Sequence, residues 1–394
     1  MGGKFVVLDV SNGRRTEHPV RRPKVKVESG RWEGALIVMS RAGNMSMVDD
    51  EMQTATSYYV LYAELAASTE QQQQQQQQQQ GENEDEDGRE VWAEDDDWTE
   101  ERMEHARTAL AGNEALCDVA SSSIKGSYLV QQYEENAGKN WDAFYSRHTT
   151  NFFKDRHYLH KTFPEEFGPL YEDSSSVEAT TNTNDFTVME IGCGVGNTVL
   201  PLLERGEEAI VNGERRRINV WGLDFASVAI DLLRKDERFI RASENERAHA
   251  GVWDITLPPP TEYGTSIENI SDVSILLFCL SAVSPEKMPE AARHVASTLK
   301  PGGMLVFRDY GRYDEAQMKL GASRGKRLSD NFYVKSDGTR CYYFDLDDLR
   351  RLFGEEGAGL EVVELKYLRR VYGNRSEDAE RRRVWVQARF RRPT

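Results

Sequence analysis

An acid followed by three alternating glycines, Glu190-Ile191-Gly192-Cys193-Gly194-Val195-Gly196, is where residue type and spacing speak most directly of chemistry. The apolar lead-in Val188-Met189 reads as the end of a buried strand, and Thr198-Val199-Leu200-Pro201-Leu202-Leu203 begins a helix-like apolar pattern. Strand, tight glycine turn and helix start make a cradle of nucleotide type. Glycines let backbone approach a ligand closely, and a helix N-terminus presents unpaired N–H groups. Two ligands compete for it. Dinucleotide turns want G-x-G-x-x-G, and Asn197 stands where the last glycine should be. E-x-G-x-G after a strand is the usual opening of a pocket for S-adenosylmethionine (AdoMet), which makes Glu190, Gly192 and Gly194 candidate cofactor residues.

These residues need strands to carry them, and the chain alternates strands and helices from residue 186 onward. Strands are expected at 186–191, 218–223, 248–253, 272–280, 304–307, 360–365 and 384–390, with helices at 197–205, 226–235, 285–299 and 345–353. Lys300-Pro301-Gly302-Gly303 reads as a turn. The alternation implies a mostly parallel sheet flanked by helices, with ligands beyond the C-terminal strand ends. Asp224 ends the second strand, where an acid accepts from ribose hydroxyls. Asp254 ends the third, where a carboxylate followed by apolar Ile255 can hold and cover an adenine. Leu277 lies on the fourth strand under the reacting group. Both acids at the right strand ends favour AdoMet over a dinucleotide.

Two further stretches mix aromatics with charges. The first, residues 139–161, contains Trp141, Phe144, Tyr145 and His148 on one helix face, then Lys154-Asp155-Arg156-His157. Such interleaving suits stacking on bases and contact with phosphates; core packing is the competing reading, and the preferred one for Phe144. His157 and His160 have no third ligand nearby, so no metal is expected. The second is an insertion at 308–344, opening Arg308-Asp309-Tyr310-Gly311-Arg312 and closing in a hairpin turned by Asp337-Gly338. Arg, Asp and Tyr alternating at a strand's C-terminal edge suit base recognition, against a purely structural ion-pair cluster.

The net charge of −16 argues against a nucleic-acid partner only until its distribution is seen. Residues 81–104 carry thirteen acids and two arginines, whereas 367–394 carry nine arginines and three acids. Four scattered cysteines show no C-x-x-C spacing, and no apolar run is long enough to span a bilayer. A cytoplasmic protein without membrane attachment is expected, a nuclear pool being compatible. Organisation is read as a low-complexity, largely disordered extension over 1–88, with a glutamine tract at 71–80 and a short apolar segment at 57–65. A helical segment follows over 89–170, with Trp92 and Trp98 docking and Thr99 as an N-cap; then come a polar linker over 171–185 and the α/β domain over 186–394.

Taken together, MEIGCGVGNTVLPLLE, DVSILLFCLSAVSPEKM, LKPGGMLVFRDYGRYD, NFYVKSDGTRCYYF and RVWVQARFRRP resemble the tRNA 3-methylcytidine methyltransferases of the methyltransferase-like family. The resemblance runs from about Trp92 to Pro393 and leaves residues 1–88 without a counterpart. It implies an α/β, Rossmann-like class I methyltransferase fold with a mostly parallel seven-stranded sheet, plus a helical N-terminal RNA-binding segment. It implies AdoMet-dependent methylation of cytidine N3 at the first nucleotide of the anticodon loop, in tRNAs for threonine, serine or arginine. Trp141 and Tyr145 would close over the cofactor beside Gly192, Asp224, Asp254 and Leu277. Lys154, Arg156, His157, Tyr310 and Arg312 would face the tRNA, with Asp309, Asp155 and Arg308 at the reacting centre: an acid to stabilise the developing cation or accept the N4 proton, and an arginine on phosphate. Some relatives depend on seryl-tRNA synthetase as a partner. A monomer is expected.

Overall fold

The computed structural model describes residues 4–9, 14–19, 99–117, 124–150, 153–171, 185–211, 214–261, 266–374 and 379–394. The readings at 57–65, the glutamine tract, most of the acidic run, Trp92, Trp98, Asn151, Phe152 and linker residues 172–184 lie outside them. The chain divides into two units, residues 1–76 and 77–394. In the first, β1 (Lys4–Asp9) and β2 (Arg14–Pro19) pair antiparallel, Val6 opposite Glu17. This hairpin is not anticipated, because polar β2 lacks the alternation that marks a strand.

The second unit is organised by β3 (Phe186–Ile191), whose six residues are all buried. Parallel strands flank it: β5 (Glu214–Asp224) and β7 (Ser271–Leu277), with Val188 opposite both Val220 and Val273. Beyond β5 lie β6 (Ala248–Val252), parallel to its end, and short β4 (Glu208–Val211), antiparallel to its beginning. Beyond β7 come β8 (Leu299–Tyr310), parallel, then β13 (Ala379–Arg391) and β12 (Glu361–Asn374), antiparallel in turn. The seven expected strands are present, and β4 is an eighth that the sequence reading does not include. The strand order reverses between β3 and β7, so a crevice opens at their C-terminal ends, where the glycine turn lies.

Period-two burial divides the core between the sheet's faces. Met189, Ile191, Leu223, Leu276, Phe307 and Val386 pack on one side; Val188, Val220, Ile275, Leu277 and Val306 pack on the other. Two boundaries differ from expectation. The strand read as 272–280 stops at Leu277, because Phe278 turns to φ 53° and a 3-10 turn, Leu280–Ala282, follows. The Lys300-Pro301-Gly302-Gly303 turn is absorbed into β8: Gly302 takes φ 80°, and its N–H donates to the Arg392 carbonyl at 2.9 Å.

The N-terminal block is helical. Helix α1 (Glu100–Cys117) starts as read, Thr99 Oγ1 accepting from Arg102 N at 3.3 Å. After α2 (Ile124–Glu135), α3 (Ala137–His148) buries Phe144 and Tyr145 against Val195, Ala226 and Ala229. The short helices α4 (Leu159–Thr162) and α5 (Pro164–Phe167) seat Leu159, Phe163 and Phe167 on the sheet. Arg389 on β13 binds both Glu165 and Glu166, the latter at 2.8 Å. The helices between strands are α6 (Val199–Arg205), α7 (Ser227–Leu233), α8 (Glu237–Glu244) and α9 (Met288–Ser297). The insertion adds α10 (Glu315–Gly321) and a small sheet of β9 (Arg327–Ser329), β10 (Phe332–Val334) and β11 (Arg340–Tyr342), the last two forming the anticipated hairpin. Helix α11 (Leu346–Phe353) opens with a capping box between Asp345 and Asp348.

Candidate functional site

The turn after β3 holds Gly192, Gly194 and Gly196 at φ 76°, 53° and 94°. A Cβ on Gly192 would stand 2.4 Å from Cys279 Sγ, and one on Gly194 would stand 2.6 Å from the Tyr145 hydroxyl. Conformation and space both demand glycine here. The turn is tied to the end of β5: Gly192 N donates to the Leu223 carbonyl at 2.7 Å, and Gly194 N donates to Asp224 Oδ2 at 2.7 Å. The other carboxylate oxygen of Asp224 accepts from Ala226 N at 2.8 Å. Burial pushes the Asp224 carboxyl up to about 6, those two N–H groups opposing the rise.

A cavity opens over this turn, lined by Gly192, Asp224, Asp254 and Ile255, with Trp141 and Tyr145 from the N-terminal block. The two rings stack on each other, centroids 5.9 Å apart. Asp254 is oriented by Thr256, whose N–H and hydroxyl donate to Oδ1 at 2.9 and 2.7 Å. The same cavity is walled by Phe225, Phe278 and Cys279, which the sequence reading omits. Phe225 follows the ribose acid and is 39% exposed, its ring forming part of the cavity wall.

Several anticipated residues stand elsewhere. Leu277 is buried in the core; Phe278, turned at φ 53° just past the end of the strand, lines the cavity instead. Glu190 does not line the cavity but braces the turn from beneath, 1% exposed, with Oε1 3.3 Å from Arg156 Nη1. Burial pushes its carboxyl up to about 7, and the Arg156 charge opposes that. Arg156 is therefore turned inward rather than toward RNA: the same Nη1 reaches Thr198 Oγ1 at 3.0 Å, and its backbone N–H binds the Asn197 carbonyl at 2.7 Å. Asp155 is engaged by Arg238 at 2.8 Å and Asn197 at 3.2 Å. Arg308 is buried, with Nη2 2.6 Å from Gln387 Oε1 and its guanidinium between the Phe163 and Trp385 rings. It thus holds no phosphate; it packs the core. Asp309 is wholly buried, and both oxygens accept backbone N–H groups, from Ser281 at 2.9 Å and Tyr310 at 2.8 Å. These bonds tie the carboxylate to the turn behind Phe278, and burial pushes it up to about 6, the N–H groups of Ser281 and Tyr310 opposing the rise. Tyr310 lies half-buried with its ring 5.2 Å from that of Phe278; Lys154 and His157 are exposed; Arg312 pairs with Asp345 at 3.1 Å.

Contacts distant in sequence complete the site. Asp142 on α3 accepts from Val228 N at 3.1 Å, capping α7 from another part of the chain. Glu134 on α2 accepts from Ser284 Oγ at 2.7 Å, Lys287 Nζ at 2.5 Å and Arg340, joining α2 to the loop before α9 and to the insertion at the cavity rim. Burial works against this charge, but hydrogen bonds from Lys287, Ser284 and Arg340 hold the carboxyl at about 2. Glu134→Ala is expected to leave the nearly buried Arg340 without that partner and to loosen the block over the cavity. The expected readout, by calorimetry, is AdoMet affinity lowered by about tenfold, the effect of one charged hydrogen bond.

The match to known proteins follows this geometry. A family model described as a methyltransferase domain covers residues 152–365. A fruit-fly protein, the tRNA N(3)-methylcytidine methyltransferase Mettl2 of Drosophila melanogaster, is 38% identical over 299 residues, 75% of this chain and 82% of that one. The human tRNA N(3)-cytidine methyltransferase METTL2B is 34% identical, covering 66% of this chain and 80% of its own length. The tRNA(Thr) (cytosine(32)-N(3))-methyltransferase of Saccharomyces cerevisiae is 34% identical over 66% of this chain and 37% of its own.

The chain belongs to the tRNA N(3)-cytidine methyltransferase family. Its methyltransferase domain takes AdoMet as cofactor, and the cavity suits that molecule. Gly192 lines it with bare backbone, Asp224 can accept from a ribose diol, and Asp254 with Ile255 and Phe225 offers a polar edge between apolar faces. Among the described residues, no cluster of His, Cys, Asp and Glu could hold a metal, and no helix is long and apolar enough to cross a membrane.

Proposed function

We propose that the chain transfers the AdoMet methyl group to N3 of cytidine at position 32 of a tRNA anticodon loop, the position named for the yeast relative that acts on tRNA(Thr). Serine and arginine tRNAs are the other substrates the sequence resemblance implies. The observation that carries this reading is the join of the Asp224–Gly194 cradle to an aromatic wall, Phe278 against Tyr310, on the same sheet edge.

AdoMet supplies an electrophilic methyl group on a sulfonium. Cytosine N3 offers an in-plane lone pair that is unprotonated near neutral pH, so no strong base is required, and alignment does most of the work. In an intact stem N3 would be paired, whereas a loop base can be splayed out. Trp141 and Tyr145 exclude water above the glycine turn, Asp224 and Asp254 would hold the donor's ribose and adenine, and Phe278 gives the base a face on which to stack. Phe278 stands at φ 53°, the kind of strained backbone that functional sites retain. The buried charge of Asp309 lies behind this wall, where it favours the cation that the base becomes. Exposed Lys154 and His157, with Tyr310 and Arg312, form the tRNA-facing rim.

Mass spectrometry of nucleosides tests the reading. A tRNA(Thr) carrying cytidine at position 32 should yield one 3-methylcytidine per molecule, and the uridine-32 transcript should yield none. Methylation of the uridine transcript elsewhere would sink the positional claim. Activity of the purified chain alone decides whether a seryl-tRNA synthetase partner is needed. Cytoplasm is the proposed place of work.

A further inference from the structure

A second cavity, of about 300 Å³, lies between α1 and the segment that follows β8, lined among others by Arg107, Arg312, Tyr313, Asp345, Tyr367 and Arg369. No role given above uses it as a site. Three guanidinium groups face one carboxylate, and that carboxylate is already engaged: Asp345 accepts from Asp348 N at 2.7 Å as the cap of α11 and pairs with Arg312 at 3.1 Å. Arg312 Nε is buried with no hydrogen-bond partner, a costly condition for a charged donor.

The surroundings are built to hold Arg312 in place. Its N–H donates to the Phe344 carbonyl at 2.8 Å, and Gly311 N donates to the Val384 carbonyl at 2.8 Å. Tyr313, next in the chain, sits at φ 68°, a conformation that costs a non-glycine residue energy. Arg369 stacks on Tyr367 with its guanidinium carbon 5.0 Å from the ring centroid. Arg107 pairs with Glu100 and Glu104 at 3.0 and 2.9 Å, but on the exposed surface, where such pairs are weak and readily exchanged. The location matters as much as the charge. Arg312 stands three residues beyond Asp309, and the intervening Tyr310 touches Phe278 at the cofactor cavity.

We infer that this cavity binds a phosphodiester of the tRNA backbone, close to the nucleotide that is methylated. The inference rests on the tRNA reading above and extends it to Arg107 and Arg369. Arginine forks suit phosphate because two parallel N–H groups match two oxygens. Such a contact positions the strand without reading its sequence.

The test measures binding of tRNA(Thr) by anisotropy across a series of salt concentrations, for wild type, Arg107→Gln, Arg369→Gln and Arg312→Gln. Each lost contact should weaken tRNA binding by about tenfold and reduce the slope of log affinity against log salt by about 0.7 to 0.9. AdoMet affinity, read by calorimetry, should stay at the wild-type value. Arg107 is on the exposed side of α1, so its variant reports even if Arg312→Gln fails to fold. Unchanged tRNA affinity and slope in Arg107→Gln and Arg369→Gln, with wild type still making 3-methylcytidine, would overturn the phosphate site and leave the function standing. Wild type that neither binds nor methylates tRNA would overturn the function instead. A further arm adds inorganic phosphate at constant ionic strength. Thermal stabilisation by free phosphate, without competition against tRNA, would assign the cavity to a small anion and overturn the proposal.

Discussion

Asp224→Ala is expected to reduce 3-methylcytidine formation to background while leaving tRNA binding in place. Two losses add at this one position. The ribose diol forfeits a charged acceptor, worth roughly 1.5 to 3 kcal/mol per hydrogen bond. The N–H groups of Gly194 and Ala226, which donate to its two oxygens at 2.7 and 2.8 Å, lose their partners. Each such orphan costs about 1 to 3 kcal/mol of stability, and the two lost ribose contacts alone should lower AdoMet affinity by about a hundredfold. Asp224→Asn should recover little, because one of its two polar ends becomes a donor facing a donor. Calorimetry with AdoMet and nucleoside mass spectrometry read the two effects separately; a variant that binds AdoMet like wild type refutes the assignment.

The same carboxyl sets a pH dependence. Burial, opposed by the N–H groups of Ala226 and Gly194, raises it to about 6. The ribose hydroxyls need the ionised form, so AdoMet affinity should be level above pH 6 and should fall toward tenfold per unit below it. Stability without cofactor should respond in the opposite sense. A raised folded-state value means that the native protein binds this proton more tightly than the unfolded chain does. Its stabilising contribution is present below the unfolded value of 3.8 and is lost as pH rises through about 6. Denaturant titrations with and without AdoMet across that window would show the two slopes.

Gly194→Ala is the second large expected effect, and it carries its own control. The added Cβ would meet the Tyr145 hydroxyl at 2.6 Å, with the next ring atom at 3.3 Å. The backbone there is left-handed, at φ 53°, which costs a non-glycine residue about 1 to 2 kcal/mol. The clash falls between the turn and the aromatic block, so AdoMet binding should drop by about a hundredfold, two units of the tenfold-per-1.4 kcal/mol scale. Removing the hydroxyl opens the space: Gly194→Ala with Tyr145→Phe should bind AdoMet better than Gly194→Ala alone, leaving the backbone strain as the residual loss. Equal affinities for the single and double variants would mean that Tyr145 does not close on this turn. The comparison is a double-mutant cycle, and it reads contact between two residues that lie forty-nine positions apart.

What the sequence determined by itself is the part that depends on neighbours in the chain. Strand β3 is visible as a mostly apolar run, broken by Thr187 and Glu190, because it is covered on both faces. The glycine turn is visible because positive φ is a property of single residues, and Asp224 and Asp254 are visible because they stand where two such strands end. The helix start at Thr99 and the hairpin at Asp337-Gly338 are equally local. What only the tertiary structure decided is which side chains those elements bring together. The end of β7 at Leu277, three residues short of the expected 280, puts Phe278 rather than Leu277 in the cavity. Arg156 and Arg308 have the composition of a phosphate-binding surface, yet Glu190 and Gln387, thirty-four and seventy-nine residues away, draw them inward. Glu134 and Asp142 carry no motif, and their partners belong to other elements. Pairing energy between charges depends on distance and burial in space. Spacing along the chain fixes neither until the sheet has closed.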